Sequence, residues 1–436
     1  MASPVRQARM NSAFDDGIQS LFAAAQDRLP GSGWMQLLRK EALARFIQSG
    51  LPHRRLEWWK YTDLAPRVEA GLALATPSPA RGRPHVMSAP ATAIGIDVAE
   101  GVVTGRPGSG LPDGLEIMAL RDALDVPSLW LRPWLQPSTS AIENLNLAFA
   151  SDGALVRVGR NQKIARPICV RTWLTTPGGM THLRNVVELE EGAELTLMEI
   201  DHTGDDRQTF ATSQSSFVLA AGARLNHIRV LSGNASAVSV RSDNVSMARD
   251  ATYQGLFLVG GPGFSRQDIS VRMDGEDSRY DLRCGYGVQT GQLADISLEI
   301  VHAAPRTTSR ILAKGIASGT GHGVVQGRVH VTKDAQQTDS HQLARGLMLT
   351  PGAEIDHRPE LEIYADDVKC GHGAAIGSLD ESQLFYLQSR GIPADEARRL
   401  LVGAYFSELT ASAPDDMRDE LEAWIAANMT RYKGEA

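Results

Sequence analysis

Seven consecutive residues, Asp366-Asp367-Val368-Lys369-Cys370-Gly371-His372, gather the side-chain types that bind metals or move protons. On an extended chain, residues two apart share a face, so Cys370 and His372 point the same way with Gly371 between them. Thiolate and imidazole are both good ligands for iron or zinc. A cation lying close, Lys369 or an imidazolium, favours the thiolate. Two ligands leave a metal site open, and the rest must come from another segment, another chain or sulfide. The plainer alternatives are a small buried hydrophobe for Cys370 and a ring hydrogen-bonded at a turn for His372. Asp366 and Asp367 are adjacent and point to opposite faces of a strand. They make a poor acid/base pair and suit a solvated turn.

The remaining chemistry is sparse. Cys169 and Cys284 sit in RPICVRT and DLRCGYG, contexts of packing residues. Three scattered cysteines build no disulfide framework, which points to the reducing cytoplasm. They also cannot enclose a four-cysteine cluster. There is no phosphate-binding G-x-x-x-x-G-K-[ST], no dinucleotide G-x-G-x-x-G at a strand–helix junction, no H-E-x-x-H and no G-x-S-x-G. His302, His322, His330, His341 and His357 are scattered, and only a repeat that stacks distant residues could bring some of them together.

The elements that must position this motif change character along 436 residues, a length that suggests two or three domains. The net charge of -7 argues against a nucleic-acid surface. No secretory signal pattern opens the chain, and no apolar run is long enough to span a membrane. Residues 1–150 are expected to be helical or mixed. Trp34, Leu37, Leu38, Ala42 and Phe46 fall at helix spacing, ended by Gly50 and Pro52. Residues 75–90 look like an irregular linker. Trp130, Pro133, Trp134 and Pro137 precede a short helical run at Ile142–Phe149.

From 151 to 377 short alternating segments dominate, among them Leu155–Val158, Glu194–Glu199, Arg224–Val230 and Gly323–Val331. Turns at Gly192 and Gly222 lie 30 residues apart, and Gly352 opens a third relative. Fixed-period turns suggest stacked rungs, with a large antiparallel sandwich as the alternative. Residues 378–436 return to helix. Asp380 is a candidate N-cap with Gln383 three residues on. Apolar stripes follow at Leu384-Phe385-Leu387, Leu400-Leu401-Ala404-Tyr405 and Met417-Leu421-Trp424-Ile425-Met429. So small a helical unit should dock on something.

The segment Gln337–Gly377, with QTD, PELEIYADDVKC and HGA, and its continuation FYLQSRG closely resemble the SufB/SufD family of iron–sulfur cluster assembly scaffold proteins. The amino-terminal EWWKYT and the stretch NLAFASDG are similar as well. His372-Gly373-Ala374 and the lack of an amino-terminal cysteine cluster resemble the SufD branch. Gly371 departs from the family, which often has serine there. The resemblance implies a right-handed parallel β-helix core flanked by amino- and carboxyl-terminal helical regions. It implies pairing with SufB through that core, and docking of the ATPase SufC on the helical tail, residues 378–432. It implies that Cys370 and His372 meet the SufB subunit, with His372 helping to hold iron or a transient iron–sulfur cluster there, and no nucleotide site of this chain's own. The isolated chain could also pair with itself. Two rivals stand beside this: a purely structural scaffold in which Cys370 and His372 only pack, and a β-helix carbohydrate-active enzyme, which would need clustered carboxylates in a groove.

Overall fold

The computed structural model describes residues 12–76, 85–124, 131–204 and 207–429. Parts of the expected linker, Trp130 and the last residues of the tail lie outside these.

Each turn of the chain lays one strand into each of two facing sheets. Strands from Ile168–Leu174 and Glu194–Thr203 through Thr338–Met348 to Val368–Gly377 stack in one sheet, which we call B. The alternate strands, from Gly179–Leu189 and Thr209–Leu219 through His322–Val331 to Glu354–Ile363, stack in sheet A. The protein is thus a parallel β-helix of about eight turns, with helices at both ends of the chain. The sandwich alternative is excluded by the pairing: from the third turn on every ladder is parallel and in register. Glu194, Arg224, Thr252, Arg279, Thr308, Asp339 and Lys369 form one column, with steps of 27 to 31 residues.

The corner before each sheet-B strand explains the period seen in the sequence. One residue per turn adopts a left-handed backbone there: Asn161, Gly192, Gly222, Asp250, Asp277, Arg306 and Gln337, with φ between 57° and 68°. Each of these donates its amide N–H to a carbonyl of the next corner, as Gly192 does to Ala221 and Gly222 to Arg249, both within 2.9 Å. Gly352 is not part of this column. It precedes a sheet-A strand, and its φ is not positive. The Gly-Ala likeness therefore joined two different corners.

Strand residues alternate between the lumen and the outer faces. The lumen of the later turns is apolar, with Leu282, Cys284, Ile296, Ile311 and Ala313 buried. The early lumen is charged. Glu199 accepts from Arg229 at 2.7 Å, from Arg241 at 2.6 Å and pairs with His227 at 2.8 Å, while Arg229 also reaches Asp243 at 2.5 Å. Burial alone would raise the Glu199 carboxyl, but Arg229 and Arg241 outweigh it and hold the group well below the usual carboxylate range. Burial raises Asp201, only partly opposed by Arg241.

The outer face of sheet A carries the amino-terminal region. The helices Gly33–Ser49 and Ala141–Phe149 pack there around Phe46, Leu145 and Phe149. Arg184 fixes the second helix through Asn146, at 2.9 Å, and the carbonyls of Trp134 and Glu143. EWWKYT docks on the same face. Trp59 lies under the Arg266 guanidinium at 4.0 Å, and Thr62 donates to Asp295 at 2.5 Å. The first region also contributes strands: Ile94–Ala99 joins sheet B and Leu115–Ala119 joins sheet A, each closed by an antiparallel partner.

The helices Ala394–Thr410 and Asp415–Asn428 cover the outer face of sheet B. The expected stripe Met417-Leu421-Trp424-Ile425-Met429 is buried, each side chain worth roughly 1.5–3 kcal/mol on burial. The preceding helix turns a different face inward than its sequence suggests: Val402, Phe406 and Leu409 are buried and Leu400 is half exposed. The contact is close. A Cβ at Gly287 would lie 2.7 Å from the Met429 Cα. Asp380 caps the helix Glu381–Ser389 through the amides of Ser382 and Gln383.

Removing Glu199 would take one carboxylate from two buried guanidinium groups, leaving Arg229 with Asp243 and Arg241 with Asp201 and Asp243. We expect Glu199→Ala to cost about 3–5 kcal/mol, measured as a lower midpoint in denaturant unfolding. A loss under 1 kcal/mol would show that the lumen charges are solvated.

Candidate functional site

The two ends of the β-helix differ. The first turn is closed by antiparallel strands. At the other end, among the described residues, Glu354–Ile363 pairs only with His322–Val331, and Val368–Gly377 only with Thr338–Met348. Both closing strands therefore present a free row of backbone N–H and C=O groups. The two rows are unlike. The sheet-A edge, EIDHRPELEI, carries four acids, an arginine and Pro359, which lacks a donor. These are the devices that protect an edge from pairing. The sheet-B edge, VKCGHGAAIG, is glycine- and alanine-rich with one lysine. Ile363, Tyr364 and Ile376 are exposed at the same end.

Cys370 and His372 lie on this unprotected edge, on one face as their spacing predicts. Cys370 stacks on Ser340, and His372 on Gln342. Both face the lumen side of the last turn, with no further turn to cover them. Cys370 is half buried against the core, and His372 is exposed. Below Cys370 runs a column of hydroxyl residues, Tyr253, Tyr280, Ser309 and Ser340. Ser340 and Ser309 share a hydrogen bond of 2.7 Å, and Ser309 bonds the buried His302 ring at 2.9 Å. Gln342 crosses the lumen to donate to the Glu360 carbonyl at 3.3 Å and so floors the position of His372.

Burial pushes the Cys370 thiol above its usual range. The Ser340 amide partly offsets this, and the charge of Asp339 adds to it. Lys369 lies on the alternate face, so the thiolate support expected from a neighbouring cation is absent in the isolated chain. Cys169 and Cys284 are buried packing residues, as expected, and burial lifts both thiols to about 12. Asp366 and Asp367 are exposed at the final corner, where the Asp367 amide donates to the Gln336 side-chain oxygen and the Asp367 carbonyl accepts from the Gln337 amide.

The scattered histidines do not meet one another. His302 is held by Thr307 and Ser309, and burial lowers it to about 4. His330 pairs with Glu362 at 3.1 Å and His341 with Asp339 at 3.1 Å. His357, inward-facing on the last sheet-A strand, has no hydrogen-bond partner on either ring nitrogen among the described residues, and burial lowers it to about 4. His322 meets Asp356 and Glu354, a grouping the sequence concealed because its members lie 32 and 34 residues apart. A separate cleft of about 810 Å³ opens between EWWKYT, the start of helix Ala141–Phe149 and sheet A, and holds none of the sequence-predicted site residues.

A parallel β-helix with one bare closing edge, and an inward thiol and imidazole on that edge, defines a scaffold whose site is open on one side. Comparison with known proteins gives that class its family. Residues 172–405 match the family described as SUF system FeS cluster assembly, SufBD core domain. The chain is 30% identical over 383 residues to the iron–sulfur cluster assembly protein SufD of Escherichia coli, covering 86% of this chain and 89% of that one. It is 31% identical over 340 residues to the chloroplastic protein ABCI7 of Arabidopsis thaliana, covering 74% and 68%. It is 32% identical over 289 residues to the SufBD family protein Rv1462 of Mycobacterium tuberculosis, covering 64% and 72%. The protein belongs to the SufBD family, and its role lies in iron–sulfur cluster assembly. Among the described residues no helix is long and apolar enough to cross a membrane.

With its thiol raised, Cys370 should label slowly with a disulfide reagent at pH 7 and keep accelerating as pH rises past the range of free cysteine. One thiol of three should react in the folded chain, and Cys370→Ser should abolish that reaction. Fast labelling at pH 7 would mean that a cation does reach the sulfur.

Proposed function

We propose that this chain is the SufD-like, non-enzymatic subunit of a cytoplasmic scaffold complex, pairing with a SufB-like subunit across the open end of its β-helix. The observation that carries this is the bare edge Val368–Gly377, which places Cys370 and His372 where a partner strand would lie. A partner strand pairing there satisfies the free backbone row and supplies main-chain affinity in fixed register. The thiol and imidazole then become half of a ligand set, and the partner completes it. Iron and sulfide are the cargo that assembles between the subunits. In this arrangement Cys370 loses its proton when iron binds, because a coordinating thiol is deprotonated by the metal.

The ATPase partner, SufC-like, docks on the helical tail, and ATP hydrolysis belongs to it. Support comes from the outer surface of the tail. Phe385 and Tyr386 on helix Glu381–Ser389 and Leu400 on helix Ala394–Thr410 are exposed at 72%, 57% and 50%, while Val402, Phe406 and Leu409 turn to sheet B. Nucleotide-driven movement of this tail would pass to sheet B, whose outer face it grips through Lys314, Arg283 and Tyr405. Sheet B is also the sheet that ends in Cys370. A site split between subunits can be opened by such a movement.

His372→Ala should leave the complex of three subunits intact on size exclusion but abolish cluster formation in anaerobic reconstitution. Wild-type cluster yield from that variant would remove His372 from the site. Phe385→Asp should weaken ATPase binding at least about tenfold while SufB pairing persists, and unchanged ATPase affinity would place the dock elsewhere.

A further inference from the structure

We propose that His322, Glu354 and Asp356 form a binding site for a divalent first-row transition-metal ion on the outer face of sheet A. One donor atom from each lies within 4.8 Å of the others, the one such grouping of three among the described residues. His322 and Glu354 are direct partners in adjacent strands, and Asp356 is the next residue on the same face. The His322 Nε2 is 2.8 Å from the Asp356 carboxylate and 4.0 Å from that of Glu354.

The ordinary alternative is a surface ion pair, and the rest of this sheet shows what one looks like. Arg328 spreads its guanidinium over Glu360, Glu362 and Glu57 at 3.0, 3.3 and 3.5 Å. Arg358 bonds Glu360 and Glu57 at 2.5 and 3.1 Å. Arginine has five donors in a fork and can serve two carboxylates at once. At His322 a single ring nitrogen faces both carboxylates and can donate one proton to one of them. No lysine or arginine among the described residues pairs with either acid. The cluster therefore holds two negative charges against at most one positive, and a divalent cation at its centre answers that excess.

The donor set specifies the kind of ion. One imidazole and two carboxylates, without thiolate, suit ferrous iron, zinc, manganese or cobalt, and disfavour cuprous ion. Three protein ligands leave positions for water or an incoming group. The His322 side chain is only 14% exposed and its strand is paired on both sides, so the imidazole is held in place. Glu354, 68% exposed, can swing in to complete the set. The site lies at the start of strand Glu354–Ile363, whereas Cys370 follows the corner beyond its far end. At about 3.3 Å per residue the two are roughly 20 Å apart, so one ion cannot touch both. The site stands whether or not Cys370 and His372 hold a cluster.

The test is an anaerobic titration of the full chain with cobalt(II), read by visible absorption, and with manganese(II), read by electron paramagnetic resonance. The wild type should bind one equivalent with the weak bands of nitrogen and oxygen ligation. His322→Gln, which keeps a hydrogen-bond donor for Asp356, should weaken that equivalent at least about tenfold, and Asp356→Asn likewise. The double variant Cys370→Ser, His372→Ala should retain it. Binding should weaken as pH falls, because the ligating ring must be neutral. Competition among ferrous iron, zinc and manganese then identifies the preferred ion. Should His322→Gln misfold, Glu354→Gln, on an exposed side chain, gives the same readout without disturbing the core. The proposal is overturned if the wild type binds no equivalent, if binding survives these changes, or if the single equivalent bound is lost with Cys370→Ser.

Discussion

Every element of this protein depends on the in-register stacking of one turn on the next. A parallel ladder satisfies a strand only when both neighbours are present, so the interior turns are complete and the final one is not. The left-handed corner residues make that stacking repeat. Each contributes one N–H to the corner beyond it, so the ladder of the sheets continues through the turns. The same constraint decides what a lumen residue experiences. In any interior turn a side chain lies between two others of its column. At Cys370 and His372 the column stops, and a thiol and an imidazole that would otherwise be buried stay reachable.

The stacking also explains why charges can sit inside. Glu199 and Arg229 are register partners in one column of sheet B and Arg241 faces them from sheet A, at distances set by the ladder and not by side-chain flexibility. Buried charges are costly unless paired with near-ideal geometry, and a rigid repeat supplies that geometry. Towards the open end the same columns shrink to Cys284, Ala313 and Ala344, and Gln342 spans the lumen. Polar anchoring at the closed end gives way to small residues and hydroxyls beneath the site.

Much of this was legible in the residues. The 30-residue step from Gly192 to Gly222, the alternation in Gly323–Val331 and the shared face of Cys370 and His372 all follow from local geometry, and the folded chain has each of them. The family resemblance named the β-helix where spacing alone left a sandwich open. What was hidden is what depends on register. A shift of a few residues per turn moves Gly352 to another corner, and it brings His322 beside Glu354 and Asp356, which no window of sequence joins. The helix Ala394–Thr410 was turned to the wrong face because its apolar residues nearly encircle it. The surface of sheet B, not the helix's own pattern, selects Val402, Phe406 and Leu409. The raised Cys370 thiol was equally unreadable, because it follows from how the last turn buries the sulfur, with Asp339 adding to it from one strand away.

The unlike closing edges give the open end a direction. Both strands end their sheets and both expose backbone groups, so sterics alone would let either recruit another chain. Charge and Pro359 burden one, and glycine and alanine leave the other bare. A strand added along Glu354–Ile363 would have to desolvate carboxylates, and one added along Val368–Gly377 would not. The second edge carries a thiol that burial and the charge of Asp339 push above its usual range. A protonated sulfur is a poor ligand and a poor nucleophile, so metal binding at the proposed site has to displace that proton. In the proposed function, the edge that recruits a partner is also the one that carries Cys370.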